Sequence, residues 1–173
     1  MLSRIKRVLK HRWLDESTTR RLIPPDLLQR LGQGVTASEQ RHCGEIRIYV
    51  EASLPLSYLW RDASMRQLSR QRALSLFGKL RVWDTAHNNG LLIYLLLAEH
   101  AIEIVADRGL NQLVAPTFWQ AMAARMRAAF QQQQFEQGLT QALQEVSALL
   151  EQHFPLQAGQ ANPNELPDAP VLN

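Results

Sequence analysis

The chain has 173 residues, 46% of them apolar, and one cysteine, which suits a single domain that buries a full core without disulfides. Its longest apolar run, Leu91 to Ala98, is too short to span a bilayer, and the N-terminus lacks the apolar core and cleavage site of a signal peptide, so a cytoplasmic location is expected. The net charge of +3 is unevenly placed: residues 1–22 hold seven Lys/Arg against Asp15 and Glu16, and the remainder is slightly acidic.

Residues 1–23 read as a basic amphipathic arm. Leu2, Ile5, Val8, Leu9 and Trp13 recur at helical spacing, and Arg4, Lys6, Arg7, Lys10 and Arg12 fill a cationic face. Two readings follow. The apolar stripe packs on the domain and leaves the charges in water, or the helix lies on an anionic membrane surface or a partner.

Pro24-Pro25 ends the arm, and Asp26 suits the first turn of a helix whose face is Leu27, Leu28, Leu31 and Val35. Glu45 to Ala52 alternates, with Ile46, Ile48 and Val50 inward and Glu45, Arg47, Tyr49 and Glu51 outward, which predicts a half-buried strand. Cys43 beside His42 reads as a structural thiol, since sequence neighbours seldom face each other. A loop through Pro55 leads to a helix from Ala63 or Ser64 to Leu80. Its outer face carries Arg66, Arg70 and Arg72 and is expected to be solvated; without interleaved aromatics or a binding motif, no nucleic-acid partner is expected.

Leu91 to Ala98 is apolar on both faces, as a strand covered by helices on both sides must be. Glu99-His100 is a tight turn, and Ala101 to Asp107 returns antiparallel. Phe118, Trp119, Met122, Met126 and Phe130 line a third helix. Phe135, Leu139, Leu143, Val146, Leu149 and Leu150 line a fourth. Residues 155–173 hold little apolar content and several prolines, and predict a disordered tail. The expected fold class is α/β: a three-layer α/β/α sandwich around a small mixed sheet with a central antiparallel hairpin, over residues 24–154.

With that order in place, GEIRIYVEAS as a first strand, ALSLFGKLRVWDTAHNNGLLIYLLLAEHAIEIVADRGL as the centre and FEQGLTQALQEVSALL as a last helix resemble the TPM domain family (thylakoid lumen, photosystem II repair and worm receptor-modulator proteins), in its soluble bacterial branch. Asn89-Gly90 and Gly109 stand where the family has Asn-Gly before its hydrophobic strand and Gly after the next one. The resemblance covers residues 24 to 154. It implies a protein partner, such as a LemA-type membrane protein, and a place at the inner face of the membrane. Some members bind calcium and one plant member is described as an acid phosphatase, so it also implies a calcium or magnesium site and, as the alternative to a partner-binding module, a divalent-metal-dependent phosphatase.

Asp84, Asn88, Asn89 and Asp107 are the candidate ligands. Antiparallel geometry brings the loop before the central strand beside the end of the next strand, so Asp84, Asn88 and Asn89 should meet Asp107 and Arg108 at one end of the sheet, with Glu103 farther along the same face. Oxygen donors of this kind suit calcium. His87 is the candidate proton-transfer group for hydrolysis. The competing reading is a loop in which Asp and Asn cap and turn the chain. The chain departs from metal-binding relatives in carrying RRLIPP where they have an Asp-containing stretch, and Asp107-Arg108-Gly109 at the strand end.

Overall fold

The computed structural model describes residues 7–11, 16–157, 159 and 162–173, with backbone alone for 16–18. Residues 7–11 are helical. Then come α1 (Glu16–Leu22), α2 (Pro25–Glu39), β1 (Glu45–Glu51), α3 (Leu56–Leu59), α4 (Met65–Lys79), β2 (Gly90–Leu96), a 3-10 turn (Leu97–Glu99), β3 (Ala101–Ala106), α5 (Arg108–Leu113), α6 (Pro116–Gln131), α7 (Phe135–His153) and β4 (Val171–Leu172).

Local chemistry explains several boundaries. Pro25 opens α2 at a position that needs no N–H donor. Ser64 and Gln67 form a reciprocal capping box at the start of α4. His100 takes a left-handed φ of 48° and closes the hairpin between β2 and β3.

The sheet order is β3-β2-β1-β4, with β1 parallel to β2 and β2 antiparallel to β3. Ile46, Ile48, Val50, Leu91, Ile93 and Leu95 face one core with α2, α6 and α7. Tyr49, Leu92, Tyr94 and Leu96 face a second, smaller core with α3 and α4. This is the expected three-layer arrangement around a mixed sheet, and every residue of β2 is buried.

Three features differ from the sequence reading. First, β1 is buried on both faces, not half-buried. The residues expected outward lie under α4 and the C-terminal segment. Second, Arg72 is not on a solvated face. It is buried and forks onto Glu51, with Nε 3.1 and 3.0 Å from the two carboxylate oxygens and a terminal nitrogen 2.5 Å from Oε1. The Tyr94 hydroxyl donates to Glu51 Oε2 at 2.7 Å. Third, residues 162–173 do not form the disordered tail their composition predicts.

That segment runs along the outer edge of β1. Val171 and Leu172 pair parallel with Tyr49 and Val50, Asn173 N–H donates to Val50 O, and Ala52 N–H donates to Asn173 O. Glu45 accepts from the N–H groups of Glu165 and Leu166 at 3.1 and 3.0 Å, and Arg47 donates to Ala169 O at 3.3 Å. The second and third differences share a cause with the first. Polar side chains on the covered face of β1 must find partners. Glu51 finds α4; Glu45 and Arg47 find the backbone of a segment too poor in apolar residues to fold by itself.

Candidate functional site

The loop after α4 turns at Arg81, which has a left-handed φ of 56°, and again at Asn88, at 52°. Between them Asn88 N–H donates to Thr85 O, and Asn89 N–H to Thr85 Oγ1 at 3.1 Å. A side chain at Gly90 would place its Cβ 1.9 Å from Val82 O, so the loop seals against the first residue of β2 only because that residue is glycine. Gly109 plays the same part opposite. Its N–H donates to Asn88 O at 3.0 Å, and a Cβ there would lie 2.5 Å from that oxygen.

The expected convergence is therefore present in part. Arg108 Nε donates to Asn88 Oδ1 at 2.8 Å, joining the loop to the end of β3. Asp107 caps α5, accepting from Arg108 N–H at 2.7 Å through Oδ1. Asn89 is fully buried and donates to Cys43 O at 2.9 Å. Asp84 is not part of the group: it pairs with Arg81 on the surface. His87 is exposed. Glu103 faces Arg70, 3.6 Å away, rather than the loop.

These residues do not make a cation shell. Calcium takes six to eight oxygens, and magnesium a near-ideal octahedron. Asn89 Oδ1 and Asp107 Oδ2 are buried and unpartnered, but Asn88 Oδ1 already receives a guanidinium. Among the described residues no group of three or more His, Cys, Asp or Glu is placed to hold a metal. The geometry of the loop is that of a seam between the two ends of the hairpin. Asp107→Ala is expected to lower stability by about 1–2 kcal/mol through loss of the cap, and Asp84→Ala by less than about 0.5 kcal/mol, as measured by urea denaturation. Equal losses would contradict the seam.

Cys43 and His42 are not a nucleophile and base. His42 is fully buried, its Nδ1 3.1 Å from Gly44 O and its Nε2 2.7 Å from Ser38 Oγ. Burial lowers its pKa to about 4, and burial raises that of the Cys43 thiol.

Residues 7–11 dock on the domain. His11 is buried, with Nε2 3.0 Å from Glu99 and Nδ1 accepting from Leu54 N–H at 3.1 Å. Lys10 reaches the same carboxylate at 3.0 Å, and Arg7 donates to the Leu59 and Arg61 carbonyls. Burial pushes the Glu99 carboxyl up, but the hydrogen bonds from His11 and Lys10 outweigh it and hold the group below its ordinary value. Of the proposed contact residues, Arg4, Lys6 and Arg12 lie outside the described residues. Nothing in the local sequence marks His11 as the pin, because its partners come from the loop after β1 and the hairpin turn.

One large concavity was not foreseen. It encloses about 990 Å³ along the outer side of β3, with Met65, Arg66 and Arg70 of α4 on one wall and Trp119, Ala123 and Arg127 of α6 on the other. Glu103 lies on its floor. Burial raises the Glu103 carboxyl above its ordinary range, opposed by Arg70, Arg127 and Arg66.

A family profile for the TPM domain matches residues 18–149. The chain belongs to the TPM domain family. The TPM fold is shared with BA42 from the psychrophilic bacterium Bizionia argentinensis, at 23% identity and a TM-score of 0.72, over 87% of this chain and 95% of that one. It is shared also with the N-terminal domain of a P. gingivalis protein, at 19% identity and a TM-score of 0.60, over 79% and 83% of the two chains. No curated protein sequence matches. Among the described residues of this TPM protein, no helix is long and apolar enough to cross a membrane.

Proposed function

We propose that this TPM domain acts as a partner-binding module and that the groove along β3 is its contact surface. The observation that carries the reading is a sheet edge with no strand paired to it among the described residues, set in a large channel between two helices. A sheet edge left open in this way is a template for another chain. A photo-crosslinking residue at Gln120, on the groove, is expected to give a discrete adduct in cells. The same residue at Gln29, exposed on α2, is expected to give none. Matching adducts at both positions, or none at Gln120, would refute it.

The basic arm supplies a second contact in this reading, to the anionic inner face of a membrane where a LemA-type protein would sit. Arg4, Lys6 and Arg12 carry that contact, because Arg7 and Lys10 already bind the domain. Sedimentation of the full chain with anionic liposomes is expected to fall when Arg4, Lys6 and Arg12 are all changed to Glu. Unchanged sedimentation removes the membrane contact.

A further inference from the structure

We propose that β3 receives an extended peptide of alternating acidic and apolar residues as an added strand of the sheet. The inference rests on the partner-binding reading above and names the chemistry of the partner.

The backbone of β3 shows which groups are open. Asp107 N–H donates to Gly90 O, so in the antiparallel ladder Ala101, Glu103 and Val105 bond to β2, and Ile102, Ile104 and Ala106 turn their N–H and C=O groups outward. Two of the outward carbonyls confirm this parity. Ile104 O accepts from Arg70 at 2.8 Å and Ala106 O from Asn111 at 2.6 Å. The three outward N–H groups have no acceptor among the described residues. Ile102 has its carbonyl open as well, so pairing starts there. Arg70 and Asn111 guard the rest of the edge against casual pairing, and both are side chains that an incoming strand displaces without moving the fold.

The groove is rich in donors and short of acceptors. Trp119 Nε1 is buried without a partner among the described residues. Arg66 and Arg127 make no hydrogen bond or ion pair among the described residues, whereas Glu103 faces Arg70 and Glu99 is taken by Lys10 and His11. An occupant must bring acceptors: main-chain carbonyls along β3, and carboxylates for the arginines. Side chains of an added strand alternate between the two walls. Those facing α4 meet Arg66 and Arg70 and should be acidic. Those facing α6 meet Trp119 and Ala123 and should be apolar. This is strand addition, with backbone bonds giving affinity and alternate side chains giving specificity. A second copy of the chain fits poorly, because pairing β3 with β3 sets Arg66, Arg70 and Arg127 of both copies along one seam.

The test uses the full chain and a short capped peptide alternating Glu with Val, followed by amide NMR and hydrogen exchange. Binding is expected to slow exchange at Ile102, Ile104 and Ala106 and to weaken with salt. Affinity should fall at least about tenfold in Arg66→Glu and recover in Arg66→Lys. Arg66 lies on the surface, and the unliganded spectrum checks that the fold is kept. The same peptide N-methylated at alternate residues should not bind. Equal binding of a Lys-for-Glu peptide, no protection on β3, or protection that appears with protein concentration alone would overturn the proposal, the last in favour of a second copy. If Gln120 crosslinks in cells and the acidic peptide fails, strand addition falls and the partner-binding reading stands.

Discussion

Arg72→Met is expected to destabilise the domain by about 3–5 kcal/mol, a fall in Tm of roughly 6–20 °C for a chain of this size. Glu51 is 1% exposed and Arg72 9% at the side chain, so neither charge is hydrated. Removing the guanidinium leaves a buried carboxylate with, among the described residues, only the Tyr94 hydroxyl to hold it. Burial disfavours the charged Arg72, but its hydrogen bonds to Glu51 outweigh that and raise its pKa above the ordinary value. Tyr94 is held neutral by burial and by the adjoining Glu51 charge. The cost therefore belongs to the orphaned charge more than to the lost pair. Adding Glu51→Gln to Arg72→Met should restore much of the stability, since an amide oxygen still accepts from Tyr94. Calorimetry of the single and double variants decides. A single variant within about 1 kcal/mol of the wild type, or a double variant no better than the single, contradicts this account.

Glu39→Gln is expected to stabilise the protein, by about 1–3 kcal/mol near pH 7.5. Glu39 is 4% exposed; its Oε1 accepts from Ile46 N–H at 2.8 Å, and its carboxyl also interacts with the Asp168 side chain. Burial raises its pKa to about 9; the Ile46 N–H opposes this, and the neighbouring Glu45 and Asp168 carboxylates add to it. With the folded value above the unfolded one, the stabilisation from holding the neutral acid is complete below about pH 4.5 and is lost as the pH rises through about 9. His42 has the opposite sign. Its folded pKa of about 4 lies below the usual 6.5, so its contribution is present above 6.5 and is lost as the pH falls through 4. Between about pH 7 and 9 the His42 contribution is flat and the Glu39 slope stands out. Glutamine keeps the acceptor for Ile46 and does not ionise, so the variant should show a flatter stability profile across that window in urea denaturation. An unchanged slope with no gain in stability would mean that Glu39 is ionised in the native protein at neutral pH.

Elements whose partners are built into their own pattern were legible in the chain. Leu91 to Ala98 announces a strand with no polar face, and the short Glu99-His100 link allows only an antiparallel return. The stripes on α6 and α7 match the observed buried faces because helical period and apolar spacing coincide there. Alternation misled at β1. Polar residues at every second position normally mean water, but here they mean a second layer that offers an arginine to Glu51 and backbone N–H groups to Glu45. The same effect hid the C-terminal strand. Residues 162–173 have one buried apolar anchor, Leu166, and order largely through hydrogen bonds to groups far away in the chain, at Glu39, Glu45 and Ala86.

The candidate site divides along the same line. The chain by itself determined that Asn88 and Asn89 would lie beside Asp107, because an antiparallel hairpin allows no other arrangement, and that Gly90 and Gly109 would flank them. Tertiary structure decided what those residues do. Arg108 folds onto Asn88, and Asp84 turns to Arg81, leaving a seam rather than a cation shell. It also decided where the open surface lies. A sheet edge is a property of strand order, and the walls of the β3 groove come from helices α4 and α6, some fifty residues apart in the chain. Local periodicity records which face of each helix is apolar; which edge those helices leave uncovered is set only when the layers pack.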